Sequence, residues 1–410
     1  MTVASFLLAG FIIYQLMFQK SSARRISNFF AALVFFELFA NAGKMFDIAG
    51  MEVLYSDTLW AILGIYSIFY LITNPINKSV FIRNSVFLAV LLASLFSEAI
   101  VPYSEDFSIR SILIAIRFLL MIVVYRSVGM NFSEIEREYI LKLMVVFQKV
   151  TYIVVCIEMV IKLFFDSSLY FGLINILLGV STNQVNWLVI RGGIPAFQAL
   201  CKEPSHLAIC LFFACLIDLW LMERKKINGI FFIINCLLLL LSGSLSSILF
   251  VSVLILAYLV VMKISKKKII FVALILALIP VAILALDKTG LALYYMERLS
   301  NSLSLMKSRD FDIDSSEGVR LGSLFSSLEL FKNRPFLGIG LGNNVSTCAF
   351  PSLLSTIGIL GVLTYLFAFI DSKKIMIPFL FVLLGTIFSM DAGVFYSSYL
   401  ILFFLVYGGG

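Results

Sequence analysis

Apolar residues run through this chain in stretches too long and too continuous for the buried elements of a water-soluble core. Residues 227–243 and 246–262, for example, carry no Asp, Glu, Lys or Arg. Lipid offers backbone amides no hydrogen-bond partner, so only helices and closed barrels cross it. A barrel strand alternates apolar and polar residues, whereas these runs do not alternate, which selects helices of about 20 residues each. Composition agrees: 61% of residues are hydrophobic and 13% charged, against about 45–50% and about 25% in soluble domains. The expected fold class is an all-α polytopic transmembrane helical bundle of about 12–13 spans.

The spans are expected near 3–19, 26–42, 59–74, 80–101, 109–126, 140–164, 204–222, 227–243, 246–262, 269–286, 346–370, 375–390 and 393–408, the last two joined by a tight turn. The first stretch lacks a basic leading segment, and Lys20, Arg24 and Arg25 follow it, so it reads as a span with its N-terminus outside. Lys78/Arg83, Arg126/Arg137, Arg224/Lys225/Lys226, Lys263/Lys266/Lys267/Lys268 and Lys373/Lys374 then fall on the same side. The positive-inside rule makes that side the cytoplasm. The net charge of +7 is therefore mostly topological and gives no support to nucleic-acid binding. Residues 1–410 are expected to form a single integral membrane domain with two long external loops, 165–203 and 287–345. The second loop is charge-rich but nearly neutral, which suits built structure; long structured loops in compact proteins usually carry function.

The first loop ends Arg191-Gly-Gly-Ile-Pro-Ala-Phe-Gln-Ala-Leu-Cys-Lys-Glu203-Pro-Ser-His206, directly before a span. Pro204 suits a first helical turn, which puts Glu203 at the cap and His206 in that turn. Free amides and the dipole at such an end favour phosphate, and Glu203 or His206 can serve as a general base. An ordinary acidic cap beside an interfacial histidine would have the same sequence. Arg191, with its planar guanidinium, suits an oxyanion or sugar, and equally a lipid headgroup.

In the second loop, Glu317-Gly-Val-Arg320 precedes a helix whose Leu321, Leu324, Phe325, Leu328 and Phe331 share an apolar face, with Ser323 and Ser327 opposite and Arg320 at the boundary. Arg334-Pro-Phe-Leu-Gly-Ile-Gly-Leu-Gly-Asn follows; lacking a βαβ setting it is no dinucleotide fingerprint, and its glycines suit a tight turn at the mouth of the next span. Charges fall inside expected spans at Glu37, Glu98, Arg117, Lys149, Glu158, Lys162 and Asp218. Glu158 and Lys162, four residues apart, can satisfy each other, and Arg117 suits a cavity. No cluster has metal-ligand spacing, and a Cys201–Cys348 bridge is open to a chain whose cysteines otherwise read as soft hydrophobes.

The order Arg-Gly-Gly…Glu-Pro-Ser in one loop and Glu-Gly-Val-Arg…Arg-Pro-Phe-Leu-Gly-Ile-Gly-Leu-Gly-Asn in the next resembles bacterial O-antigen and capsular polysaccharide polymerases. The tight Ser242–Ser247 turn is also similar. The resemblance implies a GT-C-like, metal-independent, inverting glycosyltransferase without a cofactor, in the bacterial inner membrane with its active site facing the periplasm. Its substrate would be an undecaprenyl-pyrophosphate-linked oligosaccharide, built into O-antigen, capsule or exopolysaccharide, with a chain-length regulator as a further partner. Carried over residue by residue, Arg191, Arg320 and Arg334 would bind pyrophosphate or glycan, joined by Arg117, and Glu203 with His206 would be catalytic. The sister O-antigen ligases carry a histidine soon after the glycine-rich motif, where this chain reads Val345 to Ser355 without one. That departure disfavours a ligase. A flippase of lipid-linked glycans would need charge-lined, pseudo-symmetric spans instead.

Overall fold

The computed structural model describes residues 2–48, 51–100, 109–165, 167–180, 190–191, 194–261, 290–309, 311, 316–341, 348–370, 373–387, 390 and 392–408. The protein is an all-α polytopic membrane protein. Among the described residues six helices are long and apolar enough to cross a bilayer: 55–73, 78–96, 111–131, 134–164, 204–223 and 349–369. Six shorter apolar helices accompany them. The span expected at 269–286 lies outside the described residues. The chain forms two compact units, residues 1–66 with 128–297, and 67–127 with 298–410.

In the first unit, α1 (Val3–Met17) starts where the Thr2 hydroxyl accepts from the Ser5 amide. α2 (Ser22–Val34) starts at Ser21 in the same way and runs into a π-helical turn, Phe35–Phe39. There Glu37 accepts from the Trp60 indole at 3.0 Å. A β-hairpin, β1 (Lys44–Ile48) with β2 (Met51–Leu54), follows where the sequence reading had only a connection. α3 (Tyr55–Thr73) leads on to the second unit. α6 (Glu134–Phe164) has Ser133 as its cap, Glu134 and Glu136 in its first turn and Lys162 in its last, each favourable to the helix dipole.

α7 (Ser167–Leu178) occupies the first long loop, one of the short helices expected within the two loops. α8 (Pro204–Glu223) is buried along most of its length and packs on α9 (Ile230–Leu241) and α10 (Leu245–Val261). Inside this bundle Asp218 is fully buried, accepting from Gln148 and Asn235, each at 2.9 Å. The Tyr152 hydroxyl donates to Asn235 at 2.8 Å. At about 1.5 Å per residue, the 12-residue α9 is only about 18 Å long, short of the ~30 Å hydrocarbon layer. It stops because Gly243 turns the chain at φ +66°, and the Ser242 and Ser247 hydroxyls close the turn at 2.9 Å.

In the second unit, α4 (Lys78–Ile100) and α5 (Ile109–Asn131) accompany α13 (Ala349–Phe369), α14 (Lys373–Ile387) and α15 (Ser398–Gly408). The final pair is joined through a 3₁₀ turn, Ala392–Tyr396, and α15 has only 11 residues. α11 (Leu291–Ser308), whose first turns belong to the first unit, and α12 (Ser316–Asn333) build up the second long loop, as its charge balance implied. Arg298 of α11 pairs with Glu317 of α12, both largely buried.

α13 is broken at Gly358, whose backbone (φ 66°, ψ −177°) is not helical. Pro335–Gly340 fills the break. The Ile339 and Gly340 amides donate to the Ser355 and Thr356 carbonyls at 2.9 and 3.1 Å. On the far side, the Ile359 and Leu360 amides donate to Pro335 and Phe336 at 2.8 and 3.2 Å. The orphan groups of both half-helices thereby find partners that lipid cannot supply. The glycine-rich segment therefore does more than turn at the mouth of a span: it completes the span.

Candidate functional site

The residues from Ala196 to His206 are held from two sides. From α6, the Glu158 carboxylate accepts from the Gln198 amide at 3.0 Å and the Ala199 amide at 2.7 Å. Lys162 donates to Glu158 at 2.6 Å and to the Ala196 carbonyl at 2.8 Å. The Tyr170 hydroxyl of α7 donates to the Ala199 carbonyl at 2.7 Å, under the Lys162 ammonium, 5.5 Å from the ring. From the other side, the Ala42 amide donates to Leu200 at 3.1 Å, and the Lys202 amide to the Asn41 side chain at 2.8 Å. Cys201 is buried, its thiol directed at the Leu38 and Phe39 carbonyls of the π turn. Burial, then the Glu158 charge, push that thiol's pKa up, so it is a packed neutral group.

From this fixed segment α8 begins. Pro204 takes the first helical position, as its missing amide allows. Glu203 is the cap by backbone geometry, but its side chain makes no capping hydrogen bond. Its carboxylate lies 3.7 Å from His206 Nδ1, with side chains 47% and 34% exposed, respectively. That separation is too long for a hydrogen bond and short enough for ionic attraction once the imidazole is protonated. Glu203 is thus an acidic cap without a side-chain hydrogen bond to the helix, its half-exposed carboxylate beside the chain's only histidine. Arg191 lies on β3 (Ile190–Arg191), opposite Ile194 of β4 (Ile194–Pro195), so the expected turn is a small antiparallel hairpin.

In the second unit, Arg320 is half-buried near the start of α12. Its carbonyl accepts from the Cys348 thiol at 3.4 Å, which ties it to the foot of α13. Arg334 lies just past the other end of α12, and its carbonyl accepts from the Gly338 amide at 3.1 Å. About 1.5 Å of rise per residue separates the backbones of the two arginines by about 20 Å along the helix. Arg117 is half-buried in α5.

Two expectations need correction. Ser327 is not on a polar face: it is fully buried, while Leu328 is 37% exposed. α12 packs against α13, Leu321, Leu324 and Ser327 of α12 are buried, and the serine hydroxyl satisfies itself on the Ser323 carbonyl at 2.7 Å. Nor is there a Cys201–Cys348 bridge; both are free buried thiols with carbonyl acceptors of their own. Sequence reasoning paired Glu158 with Lys162 but missed what the pair holds. It counted Arg298 only as charge, although the acid–base balance of that loop was the available signal for its ion pair.

A multi-pass helical membrane protein with charged groups gathered at helix ends is the class that these features define. Residues 230–353 match a family described as O-antigen ligase, a stretch from α9 through α12 into the first half of α13. It contains Arg320, Arg334 and the glycine-rich segment, and it stops short of Arg117, Arg191, Glu203 and His206. No curated protein matches the chain significantly.

Proposed function

We propose that this protein is a membrane glycosyltransferase that polymerises undecaprenyl-pyrophosphate-linked repeat units at the periplasmic face of the bacterial inner membrane. The observation that carries the reading is the uncapped Glu203 carboxylate beside His206 at the start of α8, in a chain whose residues 230–353 are similar to O-antigen ligases. Nucleotide sugars are cytoplasmic, so a glycosyl transfer on the outer side draws on a lipid-linked donor.

In this reaction a hydroxyl at the non-reducing end of a new lipid-linked unit attacks the anomeric carbon of the growing chain. Glu203 takes the hydroxyl proton, His206 supporting it by charge, and the C–O bond to undecaprenyl pyrophosphate breaks with inversion. Arginine stabilises the departing pyrophosphate without a metal ion. Arg320, Arg334, Arg191 and Arg117 share the binding of pyrophosphate and glycan in this reading.

The description of the matched family favours a second reading, transfer of finished glycan to a lipid A-core acceptor. The missing histidine after the glycine-rich segment favours polymerisation instead. Deletion of the gene separates the two. Accumulation of single repeat units on the carrier is the expected result; full-length chains that stay unattached would establish a ligase, and intermediates trapped on the cytoplasmic leaflet a flippase.

A further inference from the structure

We infer that Glu158, Lys162 and Tyr170 form a positioning device for Glu203 and His206, fixing the segment 196–202 so that these two side chains are presented in one geometry. The inference rests on the proposed role of Glu203 as base.

Glu158 is fully buried and the Lys162 side chain is 3% exposed. An ion pair so deeply buried is a weak source of stability, because desolvation offsets much of its attraction. What this pair does instead is spend its hydrogen bonds on backbone. Glu158 takes two consecutive amides, Gln198 and Ala199, and Lys162 takes the carbonyl of Ala196. Tyr170 takes the carbonyl of Ala199, the same residue whose amide Glu158 holds.

Ala199 is bent to φ +51°, a left-handed conformation that alanine rarely adopts. Such a conformation persists only where its surroundings over-determine it, and this residue is held at both backbone groups. The bend reverses the chain four residues before Glu203. On the opposite flank, Asn41 and Ala42 hold Lys202 and Leu200. The residues between are buried: Ala196, Phe197, Gln198, Ala199 and Cys201. Motion at Ala199 therefore passes to the carboxylate through a short rigid arm. An orienting role predicts a defect in turnover rather than in donor affinity, since displacement by about 1 Å can cost about a hundredfold in rate.

The experiment compares the full-length wild-type chain with Glu158→Gln/Lys162→Met, which removes both charges together, and with Tyr170→Phe, which deletes one hydrogen bond and is the milder variant should the first not fold. Each is reconstituted in proteoliposomes with lipid-linked repeat units isolated from polymerase-deficient cells. The readouts are kcat, KM for those units, thermal midpoint and amide exchange of residues 196–203. Expected are exchange at Gln198 and Ala199 roughly tenfold faster, kcat roughly 10–100-fold lower and KM unchanged, with Tyr170→Phe affected in the same direction and less. Unchanged kcat despite faster exchange overturns the inference, as does unchanged exchange. A fall in kcat that tracks only a lower thermal midpoint makes the cluster a purely structural brace. Wild-type protein that joins no units defeats the functional reading alone, and amide exchange still reports whether the cluster holds the segment.

Discussion

Replacing Gly358 by alanine tests the broken span directly. A Cβ at this position would meet the Phe336 carbonyl oxygen at 2.2 Å and its carbon at 2.4 Å, backbone atoms that cannot rotate aside. The backbone at Gly358 also lies in a region open to glycine almost alone, which costs about 1–3 kcal/mol for another residue. Relief of the clash requires Pro335–Phe336 to withdraw, which breaks the bonds to the Ile359 and Leu360 amides. Each buried amide left without a partner costs about 1–3 kcal/mol. The sum is about 3–9 kcal/mol, comparable to the whole stability of an ordinary domain, about 5–15 kcal/mol. Denaturant unfolding in mixed micelles should therefore show Gly358→Ala severely destabilised, or the protein should fail to accumulate. Gly10 and Gly172, whose added Cβ would meet nothing within 4 Å, provide the controls. Alanine there should be neutral or stabilising by up to about 1 kcal/mol. A Gly358→Ala protein within about 1 kcal/mol of wild type, with well-behaved controls, would show that the span is not completed by the inserted segment.

Glu203→Gln should lower repeat-unit joining at least about a hundredfold at unchanged thermal midpoint, and undiminished turnover would remove Glu203 as base. Arg320→Lys keeps the charge but loses the two-pronged donor geometry, so chain lengths on a glycan gel should shorten; a wild-type ladder rules out the pyrophosphate role. Asn235→Leu strips one donor from a fully buried Asp218 and an acceptor from Tyr152, and a loss of about 2–4 kcal/mol in micellar unfolding is expected. A double-mutant cycle on Arg298 and Glu317, both at most 15% exposed, should give a coupling of about 1–3 kcal/mol; additive effects would mean that the pair is incidental.

Span positions were readable because lipid imposes one rule, twenty apolar residues with internal hydrogen bonding, and α6 and α8 obey it, α6 with Ser133 as its cap and α8 with Pro204 in its first turn. Where other constraints compete, the pattern was silent. The π turn at Phe35–Phe39 and the break at Gly358 sit in mostly apolar sequence like their surroundings, and both depend on partners distant in sequence. Ser327 was misread because a serine in a helix can supply its own acceptor, so polarity alone did not tell a solvent face from a close contact. The same reasoning placed Glu203 and His206 at a helix start because proline marks one. It missed the hold of Glu158 on the preceding segment, since no local pattern links Glu158 to an amide forty residues later.

The buried group of Asp218, Gln148, Asn235 and Tyr152 has a consequence for how this protein can be altered. Helices in lipid gain little from hiding apolar surface against one another, so leucine and phenylalanine alone leave their neighbours and rotations poorly distinguished. One carboxylate that must meet two amides from other helices removes that freedom, admitting a single pairing of α6, α8 and α9 and a single rotation for each. These three helices are thus one heritable unit. Grafts from a relative should carry all of them or none, and a hybrid that exchanges α8 alone inherits a buried charge without its partners.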